Sequence, residues 1–269
     1  FYFFKKDFIP KNMWISIKNI LTQLKNKKSL ILWCLLSIFL LLGLALRWDV
    51  LEVVRLNQWL TRDIDRAFSL YDGNYFPLSG PETTNGMRLP GPFLYLSMSV
   101  ALFFHYSYDA IFIFYLILNF SSLLLSFYII KKYFDFNTAF LTTALQSTHL
   151  LYIEAITFPI NPAFLLPLIP FIFWSVFEFT LNKNEKALPL IALFIFLGMQ
   201  IHMSIATYLL VPIVAGFIFR IKISLKTIIK IVLIGLICFS PFYYDLNHSY
   251  KAPLSINHVT KFDPFVSFI

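Results

Sequence analysis

Along the chain, apolar runs at about 29 to 46, 92 to 105, 110 to 130, 138 to 153, 163 to 181, 187 to 203, 205 to 219 and 228 to 244 alternate with short polar breaks. Runs of this kind predict helices, and those near the roughly 17 to 25 residues that cross ~30 Å of hydrocarbon predict membrane spans. Residues 50 to 71 follow another pattern. Val53, Leu56, Leu60, Ile64, Ala67 and Tyr71 share one helical face, while Glu52, Arg55, Arg62 and Arg66 lie off it. That pattern predicts an amphipathic helix lying in the membrane interface. The stretch PLSGPETTNGMRLPGPFLYL, residues 77 to 96, then breaks all periodicity, with seven Gly or Pro in twenty residues. It predicts a compact turn that brings the chain back to the bilayer beside the amphipathic helix.

Composition makes the membrane reading general. The 269 residues are 58% hydrophobic and 13% charged, against about 25% charged in soluble domains. The net charge of +8 does not point to nucleic acid, because the lysines cluster between hydrophobic runs in the positive-inside manner. The clusters are KNKK at 25 to 28, Lys131 with Lys132, Lys183 with Lys186, and Arg220, Lys222, Lys226 and Lys230. If all are cytoplasmic, one of the three runs between Lys28 and Lys131 does not cross. The shortest, 92 to 105, is expected to dip into or lie along the outer leaflet. Seven crossings then place 47 to 109, 154 to 162, the turn near His202 to Ser204, and 245 to 269 outside; the alternative is two full crossings within 92 to 130. Cys34 and Cys238 both fall inside apolar runs and predict no disulfide or metal framework.

The chain opens FYFFKKDF and stops at PFVSFI in mid-pattern. We expect it to be the N-terminal part of a longer protein, with Met13 a candidate start and no short cleavable signal peptide. The expected organisation is a cytoplasmic segment at 1 to 28, a membrane domain at 29 to 245 and the start of an outer loop at 246 to 269.

Charge chemistry concentrates in the first outer loop. Residues 47 to 91 hold six of the fourteen acids, Asp49, Glu52, Asp63, Asp65, Asp72 and Glu82, and five of the six arginines, Arg47, Arg55, Arg62, Arg66 and Arg88, with no lysine. A guanidinium binds phosphate or carboxylate through two parallel bonds, whereas Lys is a point charge. Arginines beside carboxylates suit a site for a phosphorylated donor that also needs a base; the plain alternative is a solvated loop whose charges pair with each other. His202, in QIHMS near the outer end of its run, stands at the depth of a lipid phosphate. Asn161 and Pro162 break the chain at a span entrance, where Asn161 is a candidate substrate contact.

The order of these features resembles the GT-C membrane glycosyltransferases, and within them family 39, the protein mannosyltransferase and aminoarabinose transferase group. SGPETTNGMRLPGPFLYL, INPAFLLPL at 160 to 168 and GMQIHMSIATYLLVP at 198 to 212 carry the resemblance. It implies an all-α polytopic fold, a GT-C-like transmembrane helical bundle whose long first outer loop carries an interfacial helix. It further implies transfer of a sugar from a polyprenyl-phosphate donor to a protein, lipid A or cell-wall glycan acceptor on the outer face of the bacterial inner (plasma) membrane, using an acid of that loop. TRD at 61 to 63 resembles the family's arginine–aspartate pair. The family's second acid is replaced by Gln58, Trp59 and Leu60, and the arginine before its NP motif is missing from EAITFP at 154 to 159. The implied catalytic carboxylate is therefore Asp63 or Asp49, with Asp65 behind. Arg62, Arg88 and His202 are the implied donor-phosphate ligands, and Glu82 and Asn161 the substrate-loop contacts. No metal cluster and no cofactor is predicted, and membrane lipid is the surrounding partner. Transporters or flippases, and a non-catalytic GT-C-like protein, are the competing classes; transporters commonly show paired repeats and midplane charges, and neither is evident.

Overall fold

A computed structural model describes residues 27–51, 58–83, 86–157 and 161–249. The described residues are helical, with only an isolated antiparallel bridge between Glu82 and Arg88 in the polar turn. The helices are α1 (Lys27–Leu51), α2 (Gln58–Tyr71), α3 (Phe93–Leu102), α4 (Tyr108–Tyr133), α5 (Phe136–Thr148), α6 (Leu150–Thr157), α7 (Ile169–Thr180), α8 (Leu188–Met199), α9 (Leu210–Ile218) and α10 (Leu225–Ser249). Short 3₁₀ turns at Asn161–Leu165, Glu185–Ala187 and Met203–Leu209 join the later ones.

Among the described residues, three helices are long and apolar enough to cross a membrane, over Leu30–Asp49, Tyr108–Tyr133 and Leu225–Asn247. The apolar runs between 138 and 219 appear at the expected places but as shorter pieces. α8 has 12 residues, about 18 Å of rise, and α3 has 10, about half of what a crossing needs. Proline accounts for some of the breaks: Pro162 and Pro167 lie where α-helix gives way to the turn before α7, and Pro170 and Pro189 start α7 and α8. These rings remove an amide donor at a position where an orphan donor is tolerated.

His149 has an extended backbone (φ −70°, ψ 125°) and splits the run at 138 to 153 into α5 and α6. The break leaves the last carbonyls of α5 without intrahelical donors. Arg47, fully buried on α1, donates to the carbonyls of Ser147 (2.5 Å), Gln146 (3.3 Å) and its own Gly43 (2.8 Å). A cation at a helix C-terminus also meets the negative end of the helix dipole. α1 approaches this closely because position 43 is Gly: a Cβ there would lie 2.5 Å from the Ser147 carbonyl oxygen.

The main core joins Leu60, Ile64 and Ala67 of α2 to Leu94, Met98 and Leu102 of α3, then Ile111 of α4, Ile172 and Phe179 of α7, and Ile191 and Ile195 of α8. A second cluster, Leu36, Phe127 and Ala139, fixes α1, α4 and α5 around Trp33 and Phe136.

The ends of the long helices differ in charge. At one end Lys131 lies over the Trp33 ring, Lys132 pairs with Glu178 at 2.6 Å, and Glu185 accepts from the amide of Ser224 at 2.7 Å. At the other end of α4, Tyr108 donates to Asp65, and near the other end of α10, Asp245 receives Ser79 and Arg88. The lysines and the Arg/Asp-rich loop therefore occupy opposite ends of these helices.

Two expectations about the loop change. The amphipathic helix is observed as α2, starting at Gln58; residues 50 and 51 end α1, and Val53, Leu56, Glu52 and Arg55 lie outside the described residues. Its apolar face is not turned to lipid, because Leu60, Ile64 and Ala67 are buried in the protein core beside α3.

Candidate functional site

The polar turn is a tight hairpin. Gly80 N donates to Leu89 O and Leu89 N to Pro81 O, both at 2.9 Å, and Thr83 N donates to Met87 O at 2.7 Å. Its base rests on Gln200, at the end of α8. Gln200 Oε1 accepts from the Phe93 amide (3.1 Å) and Nε2 donates to the Cys238 carbonyl on α10 (2.9 Å). Gly91 has φ +125°, and a Cβ on it would overlap the Gln200 side chain. Glycine is needed there both for the backbone and for the contact.

On α2, beside this hairpin, Asp63 is 1% exposed. Arg62 donates to its Oδ1 through Nε (2.9 Å), with Nη2 in ion-pair contact at 2.8 Å, and Tyr95 Oη donates to the same oxygen at 3.2 Å. Arg66 Nη1 donates to Tyr95 Oη at 2.8 Å. Both hydrogen bonds and the ion-pair contact fall on Oδ1; Oδ2 is buried and makes no hydrogen bond with a described residue. Desolvation pushes the carboxyl above its usual range, opposed by Arg62, Arg66 and Tyr95. Burial also raises the Tyr95 hydroxyl, with the Asp63 charge adding to it, so Tyr95 stays a proton donor at neutral pH. Arg62 Nη2 reaches the Glu82 carbonyl at 3.4 Å and ties the cluster to the hairpin.

The other expected residues are dispersed. Asp65, two positions along α2, is exposed and accepts from Tyr108 Oη at 3.0 Å; burial of the carboxyl raises it, against that bond. Asp49 is exposed at the end of α1 and lines a groove with Leu41, Leu44, Ala45 and Trp48. Arg88 does not join Asp63 but pairs with Asp245 at 3.2 Å, an oxygen that also accepts from Ser79 Oγ at 2.6 Å. His202 Nδ1 bonds to Ser204 Oγ at 2.7 Å and caps its own 3₁₀ turn; desolvation lowers it. Asn161 opens the turn before α7, half-buried. Glu82 contributes its carbonyl to Arg62 and its backbone to the bridge with Arg88.

Arg66, Tyr95, Gln200 and Asp245 are the members the sequence reading passed over. Helical spacing was a usable signal for Arg66, three residues after Asp63 and four after Arg62. Asp245, an acid directly after the last apolar run, was another. Tyr95 in FLYL and Gln200 in GMQIH carry no local mark. Among the described residues, no three His, Cys, Asp or Glu side chains come together as a metal site.

Fold and site together define, among the described residues, a helical protein with three helices long and apolar enough to span a membrane and a buried, arginine-held carboxylate beneath a polar hairpin. No known protein family, curated protein or solved structure matches it.

Proposed function

We propose that the chain is a multi-pass glycosyltransferase of the plasma membrane, GT-C-like in its bundle, which moves a sugar from a polyprenyl-phosphate donor to an acceptor at the outer face. The observation that carries this reading is Asp63, whose Oδ1 is fixed by Arg62 and Tyr95 while Oδ2 is left without a bond. A carboxylate made more basic by burial is suited to take a proton from an acceptor hydroxyl. In the proposed step the acceptor oxygen bonds to the anomeric carbon as the bond from that carbon to the phosphate oxygen breaks. The electron pair leaves with the lipid phosphate, and the acceptor proton goes to Asp63 Oδ2. Arginine in this loop is suited to the developing phosphate charge, with Arg62 beside the carboxylate and Arg88 at the hairpin edge.

The test is transfer in membranes with labelled polyprenyl-phosphate sugars. Asp63→Asn is expected to keep expression and donor binding and to cut turnover by roughly 100-fold to 10,000-fold. Asp49→Asn is expected to keep most activity. The opposite pattern moves the base to Asp49, and no transfer by the wild-type chain with any such donor removes the reading.

A further inference from the structure

We infer that Tyr95 is the positioning residue that decides which oxygen of Asp63 is free, and that Arg66 acts on the carboxylate through Tyr95. This rests on Asp63 being the working carboxylate of the proposed transferase, but its geometry and its test do not need transfer. Arg62 alone offers Nε and Nη2, a fork able to take one bond to each carboxylate oxygen. Here both nitrogens lie on Oδ1, at 2.9 and 2.8 Å. The second hydrogen bond to that oxygen, from Tyr95 Oη at 3.2 Å, comes from α3, which the core holds against α2 through Leu94 and Met98.

Tyr95 is itself held. Arg66 Nη1 donates to Oη at 2.8 Å and the guanidinium carbon lies 5.6 Å from the Tyr95 ring centroid. With Arg66 donating into Oη, the hydroxyl proton is directed away from Arg66 and toward Asp63. A hydroxyl polarised by a cation is the stronger donor, so the positive charge of Arg66 reaches Oδ1 along the bond as well as through space. The titratable groups facing Asp63 are Arg62 and Arg66 from its own helix and, from α3, the neutral Tyr95; Tyr75 in the loop after α2 acts on Arg66, and the hairpin presents Glu82, whose carbonyl binds Arg62. The arrangement leaves Oδ2, buried and without a bond to a described residue, as the oxygen with acceptor capacity to spare, and the surplus positive charge of the two arginines favours a neutral donor such as a hydroxyl over an ammonium there.

The experiment is the titration of Asp63 in purified protein in lipid nanodiscs, followed by the infrared carbonyl band that Asp63→Asn removes. Tyr95→Phe keeps the ring and its packing but removes the donor. Losing a hydrogen bond to the charged form raises the midpoint, and one bond to a charged group corresponds to about one pH unit. Arg66→Gln is expected to raise it as well, and by less in the Tyr95→Phe background than alone. An unmoved midpoint in Tyr95→Phe, or fully additive shifts, overturns the proposal. Where wild-type protein transfers sugar, the acid limb of kcat moves upward with the same variants. Shifted midpoints in a chain that transfers nothing leave the positioning intact and remove the transferase reading instead.

Discussion

At the scale of single residues, two buried charges are handled in opposite ways. Arg47 has no carboxylate among its described bonding partners; its two Nη atoms donate to backbone carbonyls that a helix break has freed, while its buried Nε bonds to no described residue. Asp63 has Arg62 and Tyr95, and still pays for burial. Because its folded pKa is raised, the native state holds the proton more tightly than the unfolded chain. Stability contributed at this position is therefore full below the unfolded value, about 3.9, and falls as pH rises through the window up to the folded value. Asp63→Asn removes that fall. Melting of the detergent-solubilised protein at neutral pH should be no lower for Asp63→Asn than for wild type, and the gap between them should close as pH drops below the window. A variant that melts well below wild type at neutral pH would show that the Arg62 pair outweighs desolvation.

At the scale of elements, the polar hairpin is held by a contact on Gln200 that a side chain at Gly91 would disturb. Gly91 is left-handed (φ +125°) and pressed on Gln200, whereas Gly73 is left-handed (φ +71°) with open space around its Cβ position. The two separate backbone cost from crowding. Gly73→Ala is expected to cost about 1 kcal/mol, the backbone part alone. Gly91→Ala adds overpacking to it and is expected to cost about 3 kcal/mol. Thermal unfolding of both variants checks this; equal losses would mean that Gln200 simply moves aside.

At the scale of the whole molecule, the ends of α4 and α10 carry the argument for orientation. Lys132 with Glu178 and Glu185 with Ser224 gather at one end, and Asp65 with Tyr108 and Arg88 with Asp245 near the other. The positive-inside bias then predicts that Lys183 faces the cytoplasm and the Asp72 region the outside. With Cys34 and Cys238 replaced, a cysteine at 72 should react with a membrane-impermeant maleimide in intact cells, and one at 183 only after permeabilisation. Rapid labelling at 183 in intact cells would invert or discard the orientation.

The places of the helices were legible in the sequence because the apolar runs end at charged, polar or proline positions such as Lys28, Pro92, Lys131, Glu154 and Lys186, and those boundaries act locally. The helical face of α2, with Leu60, Ile64 and Ala67, was legible for the same reason, and so was the concentration of arginines and acids before the GP turn. What that face packs against was not, since an apolar stripe fits lipid and protein equally well. Nor was the grouping of Asp63 with Tyr95, thirty-two positions apart, or the capture of Arg88 by Asp245 across 157 positions. Sequence alone set where the helical runs lie along the chain and where charge accumulates, through propensity and hydrophobicity that act over a few residues. The tertiary structure decided which oxygen of Asp63 is left free and which acid Arg88 meets, because those depend on how α2, α3 and α10 pack around the hairpin.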